Sequence, residues 1–292
     1  MDDDPWKLVK HGDLIGLQRA VDSQKIQPAT ARDHRGATLL LWAAGAGHLD
    51  ICRYLIESCQ CDPNVPQLGK RSFRGRTALH WAARKGHVHI VEYLLEQSGL
   101  FSVEVDAATQ DGTTAFHWAA WQAHERVLRI LVQAKANVKH LNSYGCNAAL
   151  WAAQGEGTAQ TMEWLESVGC PTFLVNNAGH GVLHKAAQRG RKDVCEWFWD
   201  RLLENCSQTD SEHCTLELIG PDNDGLMPSD LAGMEGHEDL ALFLVEKEVH
   251  LVKLVRAATE KCPPSWFSQA VVPSKQRIWE PWAGVARLKS AW

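Results

Sequence analysis

Two kinds of apolar run alternate along the chain. One is short and rich in alanine, at residues 39–44, 78–83, 115–120, 148–153 and 182–187. The other carries Val, Ile and Leu at helical spacing, at residues 51–56, 88–95, 127–132, 194–199 and 240–245. A glycine stands three residues upstream of each alanine-rich run, and in the clearest copies a threonine stands directly before the run: Gly36 and Thr38, Gly75 and Thr77, Gly112 and Thr114. The glycine suits a tight turn with positive φ. The threonine oxygen suits the free N–H groups at a helix start. A second glycine, Gly47 or Gly86, suits the end of that short helix. The pattern predicts a repeated turn, a small-residue inner helix and a larger outer helix. One such unit cannot bury its apolar faces alone, so successive units must stack. The units start at Gly36, Gly75, Gly112, Gly145, Gly179 and Gly225, separated by 39, 37, 33, 34 and 46 residues. Residues 5–33, with Trp6, Leu8, Val9, Leu14, Leu17 and Val21, read as an irregular first unit of two short helices, as expected of a terminal repeat.

The run Gly75-Arg76-Thr77-Ala78-Leu79-His80-Trp81-Ala82-Ala83, followed by Gly86-His87 and Ile90-Val91, resembles the ankyrin repeat, and it recurs with drift over most of residues 5–250. The family period is about 33. The resemblance implies an all-α ankyrin-repeat solenoid of about seven stacked helix-turn-helix units with β-turn fingers, occupying residues 1–258. A Trp-rich basic C-terminal tail, 259–292, would follow, extended or packed on the stack. Asn147 and Gly181 replace the capping threonine, and Gly155 and Gly157 are expected to loosen a turn between helices. Excess spacing places insertions near residues 63–73, 99–108 and 204–221.

Composition narrows the function. A net charge of −5, with 45% hydrophobic and 22% charged residues, describes neither a nucleic-acid binder nor an acidic tail protein. No apolar run is long enough to span a membrane, and the acidic start Met1-Asp2-Asp3-Asp4 is unlike a secretory or transit leader. The expectation is a cytoplasmic or nuclear protein, monomeric when alone. Nine cysteines, an odd number and scattered, fit reduced thiols there. From Leu251 onward seven basic and two acidic residues accompany Pro263, Pro264, Pro273 and Pro281, which argues against a further repeat.

His80, His117 and His184 share one repeat position, and His48, His87 and His237 another. Metal or acid–base chemistry is conceivable there, but the resemblance implies hydrogen bonds that tie turn to turn. Trp42, Trp81, Trp118 and Trp151 recur before Ala-Ala and suit packing between inner helices. Trp121 falls where the family points side chains into its groove. Cys59-Gln60-Cys61 and Cys206 with His213 and Cys214 lack the paired spacing of zinc sites, and no metal or cofactor is expected. No phosphate loop, nucleophile elbow, HExxH or kinase signature occurs.

Lys70, Arg71, Arg74, Arg76, Arg84 and Lys85 form a basic cluster in an otherwise acidic chain. The resemblance implies non-catalytic binding of another protein on the concave turn-and-inner-helix surface. Arg35, Phe73, Arg74, Arg76, Arg84, Lys85, Gln110, Asp111, Trp121, Gln122, Tyr144 and His180 are the expected contact residues. Guanidinium groups there would recruit an acidic or phosphorylated segment. Two alternatives remain. Trp266, Trp279 and Trp282 could make the tail a docking or autoinhibitory element, and the 204–221 loop could serve a metal or an enzyme site.

Overall fold

The computed structural model of the chain describes residues 4–69, 74–96, 101–208 and 218–258, with backbone alone at 205–208 and 250–258. They fall into two compact units. One is drawn from residues 1–157 and 164–170, the other from 158–163 and 171–292. No strand occurs among the described residues, so the architecture is the all-α repeat stack that the pattern predicts. No helix among them is long and apolar enough to cross a membrane. The tail 259–292 lies outside them.

In the first unit the inner helices are α1 (Pro5–His11), α3 (Leu39–Ala46), α5 (Ala78–Lys85), α7 (Ala115–Trp121) and α9 (Ala148–Gln154). Each packs on the next. The outer helices are α2 (Leu14–Asp22), α4 (Leu49–Arg53), which continues as a π-helical turn over Tyr54–Ser58, α6 (Val88–Glu96) and α8 (Glu125–Gln133). Helix α10 (Ala159–Ser167) contributes to both units. The second unit holds α11 (Val182–Gln188), α12 (Lys192–Gln208), α13 (Pro228–Met234) and α14 (Glu238–Ala258), with α11 packed on α12 and α13, and α13 on α14.

The alanine pairs explain how close the inner helices lie. Ala43 and Ala44, Ala82 and Ala83, Ala119 and Ala120, and Ala152 and Ala153 are all fully buried. Leu41, Ile51, Leu55, Leu79, Ile90, Leu94, Phe116, Leu128 and Leu131 fill the space between inner and outer layers. Each such side chain contributes about 1.5–3 kcal/mol by leaving water.

Two histidine series bind repeat to repeat. His80 Nδ1 accepts from the Thr77 N–H at 3.2 Å, and its Nε2 reaches the Thr113 carbonyl at 3.1 Å. His117 does the same with the Thr114 N–H at 3.3 Å and the Cys146 carbonyl at 3.2 Å. In the other series His48, His87 and His124 each place Nε2 3.2 Å from a carbonyl of the preceding repeat, that of Lys10, Gly45 or Arg84. Where threonine is missing, the Asn147 side chain accepts from the Leu150 N–H at 3.1 Å.

Gly155 behaves differently from the expectation of a loosened turn. Its φ is −96°, so no left-handed turn is made. A Cβ there would collide with the Trp121 carbonyl, to which the neighbouring Glu156 N–H donates at 2.6 Å. The glycine permits close backbone approach and tightens the junction with the preceding repeat.

Candidate functional site

The repeat register builds a surface in the first unit from three rows. The outermost row is the turn tips. Arg35, Arg74, Asp111 and Tyr144 each precede a glycine with φ of +74°, +93°, +78° or +72°. Backbone bonds hold neighbouring tips at fixed spacing: Gln110 N–H to the Arg74 carbonyl at 3.1 Å, and Ser143 N–H to the Asp111 carbonyl at 2.8 Å. Between the first two tips the insertion supplies Gln67, which is buried. Its N–H donates to the Arg76 carbonyl at 2.7 Å and its side-chain amide to the Arg35 carbonyl at 3.2 Å. Arg35 and Arg74 are exposed, and Tyr144 is 60% exposed.

The second and third rows lie on the inner helices. Trp42, Trp81, Trp118 and Trp151 are half-buried at one register position. Three residues further along stand Gly45, Arg84, Trp121 and Gln154. Each later tryptophan packs against that residue of the repeat before it. Trp81 lies over Gly45, where a Cβ would run into its ring. Trp118 receives the Arg84 guanidinium, Cζ 4.7 Å from the ring centre. Trp151 meets Trp121 at 5.3 Å between ring centres, tilted by 68°. Trp118 and Trp151 also meet edge to face at 5.0 Å. Arg76, in the turn, places its Cζ 4.9 Å from the same Trp118 ring. One indole therefore carries two guanidinium groups.

The electrostatics follow from that arrangement. Burial lowers the Arg76 pKa from its ordinary value, and the charge of Arg84 lowers it further, while Asp111 acts in the opposite direction. Burial alone would raise the Asp111 carboxyl, but hydrogen bonds from the Thr109 hydroxyl and from Thr113 outweigh it and hold the group below the usual range. Trp42 donates its indole N–H to Asp33 Oδ2 at 3.0 Å. Thr109 occupies the register position of Asp33 in the repeat of Trp118. The indole N–H groups of Trp81 and Trp118 find no acceptor among the described residues.

The structure brings Arg76 and Arg84 together on Trp118 and joins Trp121 to Trp151. Lys85 and Gln110 are exposed beside Arg84 and Asp111. Gln122 is half-buried at the end of α7, its N–H bonded to the Trp118 carbonyl at 3.3 Å. His180 belongs to the second unit. There its Nε2 stands 2.8 Å from Asp222 Oδ2, and its ring stacks on His184 at 5.6 Å. Phe73, Trp266, Trp279 and Trp282 lie outside the described residues. Trp118 packs between inner helices as its repeat position predicts, against Arg84 of the repeat before and Trp151 of the repeat after; the two guanidinium groups on its ring are what the repeat pattern alone does not reveal.

Nothing in this surface has the donor set of a metal centre, and the described residues hold no group of three or more His, Cys, Asp or Glu suited to one. Burial pushes the Cys52, Cys61 and Cys170 thiols up to about 12, which removes thiolate character at neutral pH. The side chains of Cys206, His213 and Cys214 lie outside the described residues.

Residues 8–101 and 40–142 match a family described as ankyrin repeats, three copies. A stretch of 64 residues is 33% identical to the 26S proteasome non-ATPase regulatory subunit 10 of Dictyostelium discoideum, covering 22% of this chain and 27% of that protein. The match thus spans about a quarter of the relative's length. Among solved structures the chain resembles one from the complex of the Bd0816 predatory endopeptidase of Bdellovibrio bacteriovorus with immunity protein Bd3460. The TM-score is 0.55 at 26% identity, over 68% of this chain and 97% of that one.

Proposed function

Because the chain belongs to the ankyrin-repeat family, we propose that it is a non-catalytic protein-binding scaffold whose partner is read by the turn tips and inner helices of the first unit. The observation that carries this reading is the pair Arg76 and Arg84 on Trp118, rimmed by exposed Arg74 and Lys85. Such a surface fits a partner that presents an acidic segment. Charge-assisted hydrogen bonds from guanidinium groups are stronger than neutral ones. Arginine and tryptophan are also the residues most often found to dominate interface energetics. The tips are hydrogen-bonded to one another and the inner helices are packed on alanine, so little ordering remains to be done on binding. The names of the two relatives, a proteasome subunit and an endopeptidase with its immunity protein, both describe proteins that assemble with proteins. A cytoplasmic or nuclear location belongs to the same reading.

Affinity purification followed by mass spectrometry tests it. The double variant Arg74→Glu, Arg84→Glu changes two exposed side chains and should keep the circular dichroism spectrum and melting temperature of the parent. It should lose the proteins that the parent retains. An unaltered set of retained proteins would remove this surface from the proposal.

A further inference from the structure

Successive repeats cover one another at fixed register positions. In the first unit, Arg84 and Trp121 stand nine residues past their turn glycine, and each receives the tryptophan of the next repeat. Arg53 and Arg129 stand 17 residues past it, on the outer helices. Their Cζ atoms lie 5.2 Å from the ring centre of Tyr93 and 5.3 Å from that of Trp164, again one repeat on. Glycines are covered in the same way within the second unit. A Cβ at Gly179 would stand 3.1 Å from Asp222 Cα, and one at Gly190 2.6 Å from the His237 ring.

The last repeat presents the same four positions uncovered by the described residues. Met234 and Leu242 stand nine and 17 residues past Gly225. Met234 is 72% exposed and Leu242 38%. A Cβ at Gly225 or Gly236 would meet nothing within 4 Å. A terminal repeat ends a stack by showing a polar outer face. This one shows two apolar side chains where earlier repeats take aromatic rings. Glu238 and Glu246 flank Leu242 one helical turn away on either side, and Glu235 and Asp239 are exposed near the α13–α14 turn. No ion pair engages these four carboxylates among the described residues.

The complement to this face is in the chain itself. Residues 259–292, outside the described residues, hold four tryptophans and five basic against two acidic residues. Leu242 lies 16 residues before the end of α14, about 24 Å along the helix. Trp266, eight residues past Ala258, reaches back that far only when the chain is fully extended, at about 26–29 Å. Trp279 and Trp282, 21 and 24 residues past it, span up to about 70–85 Å and reach both apolar positions with slack. Lys275 and Arg277 directly precede them. We propose that the tail folds back on the last repeat and sets Trp279 and Trp282 on Leu242 and Met234, with Lys275 and Arg277 beside the exposed carboxylates. The tail then stands where a further repeat would. This is independent of the protein-binding reading, whose residues lie in the first unit.

The methyl resonance of Met234 tests the contact in the full chain. Methyl labelling of methionine gives four signals, and Met234→Leu assigns the one needed. That signal should be displaced by ring currents and shielded from a soluble nitroxide. Trp279→Ala with Trp282→Ala should abolish both the displacement and the shielding. The signal of Met162, which is fully buried, should not move and reports that the stack is intact. Glu238→Lys with Glu246→Lys changes two exposed side chains and should release Met234 as well. An equal Met234 signal in the parent and the tail variant overturns the proposal, as does shielding that survives the charge reversal. Shielding that disappears on dilution assigns the cover to a second copy of the chain and also overturns it.

Discussion

The conserving chemistry at single-residue scale is a neutral imidazole used as a two-ended connector. His117 Nδ1 accepts an N–H and its Nε2 donates to a carbonyl one repeat away, which requires the Nε2–H tautomer. A second proton would go on Nδ1 and face the Thr114 N–H instead of accepting from it. Burial pushes His80, His117 and His184 down to about 4, with the surrounding bonds only partly offsetting it. The unfolded chain titrates near 6.5. These groups therefore contribute their full stability above about pH 6.5. That contribution is lost as pH falls toward 4, because the unfolded state takes up protons that the folded state refuses. Urea midpoints should accordingly fall between pH 7 and pH 5. His117→Ala should cost about 1–3 kcal/mol at neutral pH, by leaving a buried N–H and carbonyl unmatched, and should flatten the fall. An unchanged slope would show that His117 is not a source of it. The role of these histidines was legible through the resemblance to the ankyrin repeat, at one position of which they recur. That of Trp118 was not, since a ring that receives two cations looks in sequence like any other repeat tryptophan.

At the scale of helices the last repeat departs most from the common pattern. Helix α13 begins Met227-Pro228-Ser229-Asp230, with neither the threonine nor the histidine of the other units. Asp230 accepts from the Met227 N–H at 3.0 Å. Glu248, reaching in from α14, accepts from the Ser229 N–H at 3.1 Å and its hydroxyl at 2.6 Å. Only 7% of Glu248 is exposed. Burial pushes its carboxyl up to about 8, against the pull of the Ser229 bonds. A folded value above the unfolded one means that the folded state binds the extra proton. The stabilisation is complete below about pH 4.5 and is lost as pH rises through 8. Glu248→Gln should remove this alkaline decline in denaturation midpoint, whereas Glu248→Ala should destabilise at every pH by about 1–3 kcal/mol. A parent midpoint that stays level from pH 5 to pH 8 while Glu248→Gln lowers it would reverse the assignment. Helix starts of the common kind could be read from glycine, threonine and alanine alone. This one could not, because its cap comes from a residue 19 positions away. Gly155 is a similar case, legible as a departure but not as a close approach, which depends on where the Trp121 carbonyl falls. Gly155→Ala should lower stability by about 1–3 kcal/mol through overpacking, read by urea denaturation. A stability equal to the parent's would mean that the backbone there can shift freely.

For the molecule as a whole, charge and position disagree. The chain carries −5, yet basic residues cluster at Arg74, Arg76, Arg84 and Lys85 and outnumber acidic ones by seven to two in residues 251–292. Fold class was legible because every repeat restates it, and a stack of near-copies has one way to bury its apolar layers. The location of binding was less so, because both concentrations of positive charge combine basic with aromatic residues. In the first unit the guanidiniums of Arg76 and Arg84 rest on an indole between packed helices, so a partner docking there would meet little ordering cost. A tail reading instead assigns docking to Trp266, Trp279 and Trp282. A chain ending at residue 258 separates the two. With the first-unit surface as the reader, the shortened chain should retain the same proteins with calorimetric affinity unchanged. Loss of retention would move docking to the tail, and a gain in affinity would make the tail a competitor for the surface. A lower melting temperature with affinity unchanged would assign it to packing alone. Combining the truncation with Arg84→Glu completes the test: retention should then disappear although residues 1–258 are otherwise intact, because the pair on Trp118 is the feature that both experiments address.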